Sequence, residues 1–258
     1  MNIKKSIYYR LKSFLRNVEL KDIALRNNID LINIKDSSFV DIESMETISN
    51  YLTNTNILID IGAYKGLFSK TANSFFPFEK TICFEPNKLL IDIIKNNNSN
   101  SNIIVENIAL SDKEGTATFH LHQDYSMNSI VESNIEVLKA EFPWDNPDLL
   151  DKNLVPTKTL DNYLKNLDIE NDSLFIKIDT QGNELNILKH SIQTLKLTKV
   201  LLIEFMFLNP YKNDFSFFDL ISFLNKHNFI CKGALNIFKR PSKKISGVDF
   251  LFVKKNIL

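Results

Sequence analysis

The chain is poor in cysteine: only Cys83 and Cys231 occur in 258 residues, with no metal-ligand spacing between them. That excludes a cysteine-built metal site, and a reducing cytoplasm is the expected setting. An excess of charge of either sign is also missing, since Lys+Arg and Asp+Glu both number 31. Nothing therefore drives non-specific binding to acidic polymers, and no nucleic-acid partner is expected. No apolar run reaches the roughly 18 residues that mark a membrane span. The N-terminal stretch also lacks an unbroken apolar segment before a small-residue cleavage site, so neither a transmembrane segment nor export is expected. The length fits one large α/β domain with a helical extension at its start.

What is present is a repeated strand-to-turn pattern. Ile57-Leu58-Ile59-Asp60-Ile61 is short, apolar and β-branched, as in a parallel strand covered on both faces, and it runs into Gly62-Ala63-Tyr64-Lys65-Gly66 and a helix pattern. The two glycines relieve steric limits where the backbone turns sharply, and the helix start leaves amides unpaired for a ligand. On its own such a turn is equally compatible with a tight strand-to-helix loop. The next strand, Thr81-Ile82-Cys83-Phe84-Glu85, ends in an acid nineteen residues beyond Gly66. In doubly wound sheets an acid so placed accepts hydrogen bonds from ribose hydroxyls.

The pattern recurs at Leu174-Phe175-Ile176-Lys177-Ile178-Asp179, followed by Thr180-Gln181-Gly182, and at Val200-Leu201-Leu202-Ile203-Glu204. Strand ends of an open α/β sheet share one edge, so Asp60, Glu85, Asp179 and Glu204 are expected to cluster there. Lys177, inside a strand, requires a carboxylate partner, for which Asp60 and Glu204 are the candidates. Asn96 to Asn102 reads as a polar surface loop remote from the site, with no chemistry assigned. Thr116 to His122 alternates as an antiparallel or edge strand that sets His120 and His122 on one polar face. Residues 123 to 155 read as an irregular excursion with a short helix near Ile135 to Ala140, a plausible source of substrate contacts. Val155 to Thr159 is expected to re-enter the core. The chain closes with strands at Phe229 to Lys232 and Val248 to Val253 that form a hairpin. Residues 3–18 form a basic amphipathic helix pattern, suited to peripheral membrane contact or to packing on the domain or a sister subunit.

Together the pieces Asp60-Ile61-Gly62-Ala63-Tyr64-Lys65-Gly66, Phe84-Glu85-Pro86, Asn107-Ile108-Ala109-Leu110-Ser111-Asp112, Thr159-Leu160-Asp161, Ile176 to Glu184 and Leu202-Ile203-Glu204 resemble the FkbM family of S-adenosylmethionine-dependent methyltransferases, over roughly Asn56 to Val253. The fold the resemblance implies is the seven-stranded Rossmann-like sheet of class I methyltransferases, ending in an antiparallel hairpin. Residues 1–52 would be a helical cap or lid outside it, and 53–258 the methyltransferase domain. The family pattern commonly has Asn where Tyr64 stands and Gly where His190 stands.

The resemblance implies S-adenosylmethionine as cofactor and O-methylation of a sugar, glycan or related small molecule. Asp60 and the Gly62, Ala63, Tyr64, Gly66 turn would hold the methionine end, Glu85 the ribose, and residues around Asn107 and Ala109 the adenine. Asp179 is the first candidate for the base, its pKa raised by crowding with Glu204. Mg²⁺ held by Asp179 and Glu204 is one alternative and His120 or His122 as base another. A non-catalytic methyltransferase-like binding or scaffold protein is the alternative function, and an oligomer is compatible with either. A nicotinamide site is disfavoured, because Gly62 to Gly66 lacks the Gly-x-Gly-x-x-Gly spacing.

Overall fold

The computed structural model describes residues 18–19, 21–23, 25 and 39–255, apart from 100–101, 147, 149, 172, 214 and 241. The basic stretch over residues 3–18, and the membrane contact expected of it, lies outside the described residues except for Val18. Among the described residues no helix is long and apolar enough to cross a membrane.

The strands in chain order are β1 Ile57–Ile61, β2 Lys80–Phe84, β3 Ile103–Glu106, β4 Ala109–Leu110, β5 Gly115–Leu121, β6 Asp151–Lys158, β7 Leu174–Ile178, β8 Thr198–Met206, β9 Phe229–Lys239 and β10 Ile245–Lys254. Seven of them form one sheet in the order β3-β2-β1-β7-β8-β10-β9. Neighbours from β3 to β8 are parallel, and β10 runs antiparallel to both β8 and β9. This is the class I methyltransferase sheet with its terminal hairpin. The hairpin strands extend further than their apolar centres suggested, because ladder hydrogen bonding continues through the polar flanks toward Lys239 and Ile245.

A second sheet of three strands, β4-β6-β5, stands apart from the first. The strand expected over Thr116 to His122 is antiparallel and pairs along β6 from Gly115 to Leu121. The segment from Val155, read as returning to the main core, instead belongs to this side sheet, where alternate residues Val155 and Thr157 are buried and their neighbours exposed. A strand covered on one face keeps that alternation, which sequence alone does not assign to a particular sheet.

Side chains alternate across each central strand and find cover on both faces. Ile59, Ile82, Ile176 and Leu201 face one core with Leu160, Leu185 and Leu220 from following helices. Leu58, Phe175, Val200 and Leu251 face the other with Met45, Ile48 and Phe68. Met45 and Ile48 come from the helix Phe39–Ile48, here α1, which packs on the helix Leu67–Phe75, α2. Each such side chain contributes about 1.5–3 kcal/mol by leaving water.

The order reverses between β1 and β7, and the chain leaves both at the same edge. Gly62 sits there at φ +76°, and a Cβ on it would lie 1.8 Å from the carbonyl oxygen of Asp179. The two strand exits touch backbone to backbone, so Gly62→Ala is expected to cost more than about 2 kcal/mol, from left-handed strain and from the clash. Urea denaturation checks this. A loss below about 0.5 kcal/mol would mean that the turn relocates freely.

Candidate functional site

The strand exits open onto a cleft of about 110 Å³ bounded by Gly62, Tyr64, Glu85, Pro86, Ala109, Asp179 and Gln181, together with Tyr125, Ser126 and Asn128 to Ile130. Local sequence explains the first rim. Gly62 and Ala63 donate their N–H groups to the carbonyl of Phe84 at 3.0 and 3.1 Å, which turns the chain along β2. Tyr64 continues the turn at φ +51°. A bulky residue in that region is strained and is held only by surrounding structure. Its N–H donates to Glu85 Oε2 at 2.8 Å.

Glu85 is buried, and its other oxygen accepts the N–H of Asn87 at 2.8 Å. Each carboxylate oxygen keeps a lone pair free for a ligand hydroxyl. Burial pushes its pKa up to about 7, against the pull of the two amides and Lys177.

The polar run before β3 was expected to be remote from this turn. Instead Asn97 Nδ2 donates to the carbonyl of Lys65 at 2.8 Å and Asn98 Nδ2 to that of Gly66 at 2.9 Å. Asn98 is buried, and the side chains of the low-complexity run are what hold the glycine turn.

Lys177 occupies the centre of the rim. Its ammonium lies 3.5 Å from Asp60 Oδ1 and 3.3 Å from Asp179 Oδ2, and it donates to the carbonyl of Gly62 at 3.0 Å. Parallel register sets Asp60 directly beside Lys177, so Asp60 and not Glu204 is its strand partner. Burial alone would favour the neutral amine, but Asp179 and Asp60 outweigh it and hold the ammonium charged. Asp60 is fully buried, and Ser69 Oγ donates to its Oδ2 at 2.6 Å. Burial raises its pKa in spite of Lys177 and Ser69. Asp60 therefore acts behind the wall and reaches the cleft only through Lys177.

The second rim is Asp179-Thr180-Gln181-Gly182. Glu184 Oε1 accepts the N–H groups of Thr180 and Gly182 at 2.9 and 3.1 Å, which closes the turn. Gln181, at φ +59°, donates its Nε2 to Asp179 Oδ1 at 2.7 Å and to Glu204 Oε2 at 2.6 Å. Burial and the nearby Asp179 charge raise Glu204 well above the usual carboxylate range. Asp179 moves the other way: burial tends to raise it, but Lys177 and hydrogen bonds from Glu204 and Gln181 bring it below its ordinary value. The expected rise at Asp179 is thus reversed, because the lysine sits on the Asp179 side of the pair.

Of the expected site residues, Gly62, Tyr64, Glu85, Ala109 and Asp179 border the cleft. Ala63 and Gly66 are buried in the turn and serve its shape. Asn107 is turned away, its Nδ2 donating to the carbonyls of Glu85 and Pro86 at 2.9 and 3.0 Å. His120 does not border the cleft. Burial lowers its pKa, with Glu132, Lys152 and Lys212 in its surroundings. His122, unlike the half-buried His120, is buried, in contrast to the polar face expected for it.

The Mg²⁺ alternative finds no support in the donor set. Gln181 places an amide N–H donor between the two carboxylates, and among the described residues no group of three or more His, Cys, Asp or Glu could hold a metal ion. Gln181 itself was missed, although it stands between an acid-tipped strand and a glycine. Tyr211, whose hydroxyl is 3.0 Å from Gln181 Oε1, had no signal in the sequence.

A family model described as the methyltransferase FkbM domain matches residues 60–231. Among solved structures, the chain is similar to an O-methyltransferase from Bacillus cereus in complex with S-adenosylhomocysteine, at 15% identity and a TM-score of 0.48, covering 91% of this chain and 90% of that one. It is also similar to TrmK of M. capricolum with the same cofactor product, at 11% identity and a TM-score of 0.46, over 85% of this chain and 69% of that one. Comparison with curated proteins found no match.

Glu85 makes stability depend on pH. Its folded value of about 7 stands above the ordinary 4.5, so its stabilising contribution is complete below the unfolded value and is lost as pH rises through 7. Urea titrations at pH 5 and pH 8 are expected to show the wild type losing about 1–3 kcal/mol more than Glu85→Gln over that interval. Equal losses in the two proteins would contradict the assignment.

Proposed function

The chain belongs to the FkbM methyltransferase-domain family, and from that premise we propose that this S-adenosylmethionine-dependent methyltransferase acts on a hydroxyl of a sugar, glycan or related small molecule. The observation that carries the reading is Asp179: a carboxylate on the cleft wall, 3.3 Å from the Lys177 ammonium, facing a cleft whose other side includes Tyr125, Ser126 and Ser129. Hydroxyl and phenol groups are suited to a polyhydroxylated acceptor, and Tyr125, 41% exposed, offers a ring face at the mouth.

The residues fit the cofactor. The strained, glycine-bracketed turn would receive the methionine end, Glu85 has lone pairs left for the ribose, and the apolar stretch around Ala109 takes a flat ring. Bound there, S-adenosylmethionine supplies a methyl group on a positively charged sulfur. The chain's own residues do the rest. Asp179 accepts the hydrogen bond of the acceptor hydroxyl and aims its oxygen, a positional gain that needs no strong base. Lys177 keeps that carboxylate ionised, and Glu204 keeps its proton, so the pair carries one negative charge on the cleft side. As the acceptor oxygen gives up its lone pair to carbon, its proton becomes acidic enough for Asp179 to take.

Two variants test this. Asp179→Asn is expected to lower kcat about 100-fold while leaving the S-adenosylmethionine affinity within about threefold, the range for loss of a positioned base. Glu85→Ala is expected to weaken S-adenosylmethionine binding by roughly 1.5–3 kcal/mol, read by calorimetry. S-adenosylhomocysteine release assayed over a panel of hydroxylated and amine acceptors identifies the class. Turnover confined to amines would overturn the hydroxyl reading.

A further inference from the structure

Each oxygen of the Asp179 carboxylate meets a donor. The Lys177 ammonium lies 3.3 Å from Oδ2, and Gln181 Nε2 donates to Oδ1 at 2.7 Å. The last torsion of an aspartate is broad and two-fold, so nothing within the side chain fixes the plane of its carboxylate. Here the two donors fix it. They engage one lone pair on each oxygen and leave the others for a ligand, and Asp179, its side chain 32% exposed, borders the cleft.

Gln181 is itself held so that its nitrogen faces the acids. The register of β7 on β8 sets Ile178 opposite Ile203, which brings Asp179 and Glu204 side by side for one amide to span. Nε2 donates to Glu204 Oε2 at 2.6 Å, and the amide oxygen faces the Tyr211 hydroxyl at 3.0 Å. A flipped amide would set an acceptor against two carboxyl groups, so the orientation follows from the partners. The backbone of Gln181 is at φ +59°. It is kept there by Glu184, which accepts the N–H groups of Thr180 and Gly182, and by Ser129 Oγ, which donates to the Gln181 carbonyl at 2.8 Å. Tyr211 packs on the same turn, where a Cβ on Gly182 would lie 3.0 Å from its own Cβ. A glutamine kept in the left-handed region from several sides is strain that the surrounding structure maintains.

Charges on every neighbouring element act on the pair. Lys177 and Asp60 stand toward β1, Asp249 on β10 lies directly opposite Glu204, and Glu184 and Tyr211 enclose the rest. Burial tends to raise the pKa of Asp179, while Lys177 and the hydrogen bonds from Glu204 and Gln181 lower it. We infer that Gln181 is a positioning residue of the reaction, its amide holding the Asp179 carboxylate in the plane from which it meets the acceptor hydroxyl. This rests on Asp179 being the group that receives the acceptor's proton.

The test uses Gln181→Met, which keeps the length of the side chain and removes the amide. Carboxyl-carbon NMR of the free protein, with the Asp179 signal assigned through Asp179→Asn, is expected to show Asp179 titrating at higher pH in the variant, because its ionised form has lost a donor. With methyl glycosides as acceptors, kcat should fall about tenfold or more while KM for S-adenosylmethionine stays within about threefold. On the Asp179→Asn background the same substitution should cost less than about threefold, since the amide acts through that carboxylate. The titration needs no acceptor and decides alone where none of the glycosides is turned over. Where thermal melting shows Gln181→Met unfolded, Tyr211→Phe, which frees the amide oxygen, is read in its place with the same directions. An Asp179 titration unmoved over the pH range in which both proteins stay folded, or a kcat loss that recurs in full on the Asp179→Asn background, overturns the inference and leaves the proposed reaction standing. Asp179→Asn with the kcat of wild type overturns both.

Discussion

A buried ammonium bridging two strand exits is the constraint on which the site depends. Lys177 joins Asp60 on β1, Asp179 at the end of β7 and the carbonyl of Gly62 in the turn between them. Its long stem crosses the sheet edge at the point where strand order reverses, which is where open α/β sheets leave a crevice. Desolvating one cation and two carboxylates is expensive, and only mutual pairing makes it tolerable. The arrangement concentrates the negative charge at Asp179, whose pKa is lowered, while burial and the Asp179 charge raise that of Glu204.

Around this centre the wall is assembled from turns that side chains on neighbouring segments hold in place. Asn97 and Asn98 cap the glycine turn from below, Glu184 closes the Asp179 turn, and the His122, Asp145 and Ser133 clamp secures the opposite side. Each uses side-chain polar groups to satisfy backbone amides or carbonyls that a loop would otherwise leave exposed to a buried interior. Two non-glycine residues at positive φ, Tyr64 and Gln181, sit at the two rims. Strain retained at both edges of one cleft accords with a site whose geometry is set before any ligand arrives.

Much of the frame was legible from residue order. Apolar β-branched runs with acids at their tips marked β1, β2, β7 and β8, and two such runs without a helix between them marked the hairpin. The partner of Lys177 was narrowed to two carboxylates, of which parallel register selected Asp60. The side sheet was not legible, because a strand such as Asp151–Lys158, half covered, carries the same alternation whichever sheet it joins. Asn97 and Asn98 lay hidden inside a low-complexity run, where nothing local separates a structural asparagine from a solvated one.

Sequence by itself determined the α/β frame, the glycine turn and the row of strand-end acids, since these follow from local sterics and from the two-residue and helical periods of side-chain direction. Only the tertiary structure decided which acid carries charge, which residues face the cleft and which serve behind it. Those outcomes depend on partners distant in the chain, such as Lys177 with Gly62 or Ser129 with Gln181, and on burial that sets the balance between desolvation and pairing. No local pattern encodes that balance, because it arises only when the two strand exits meet.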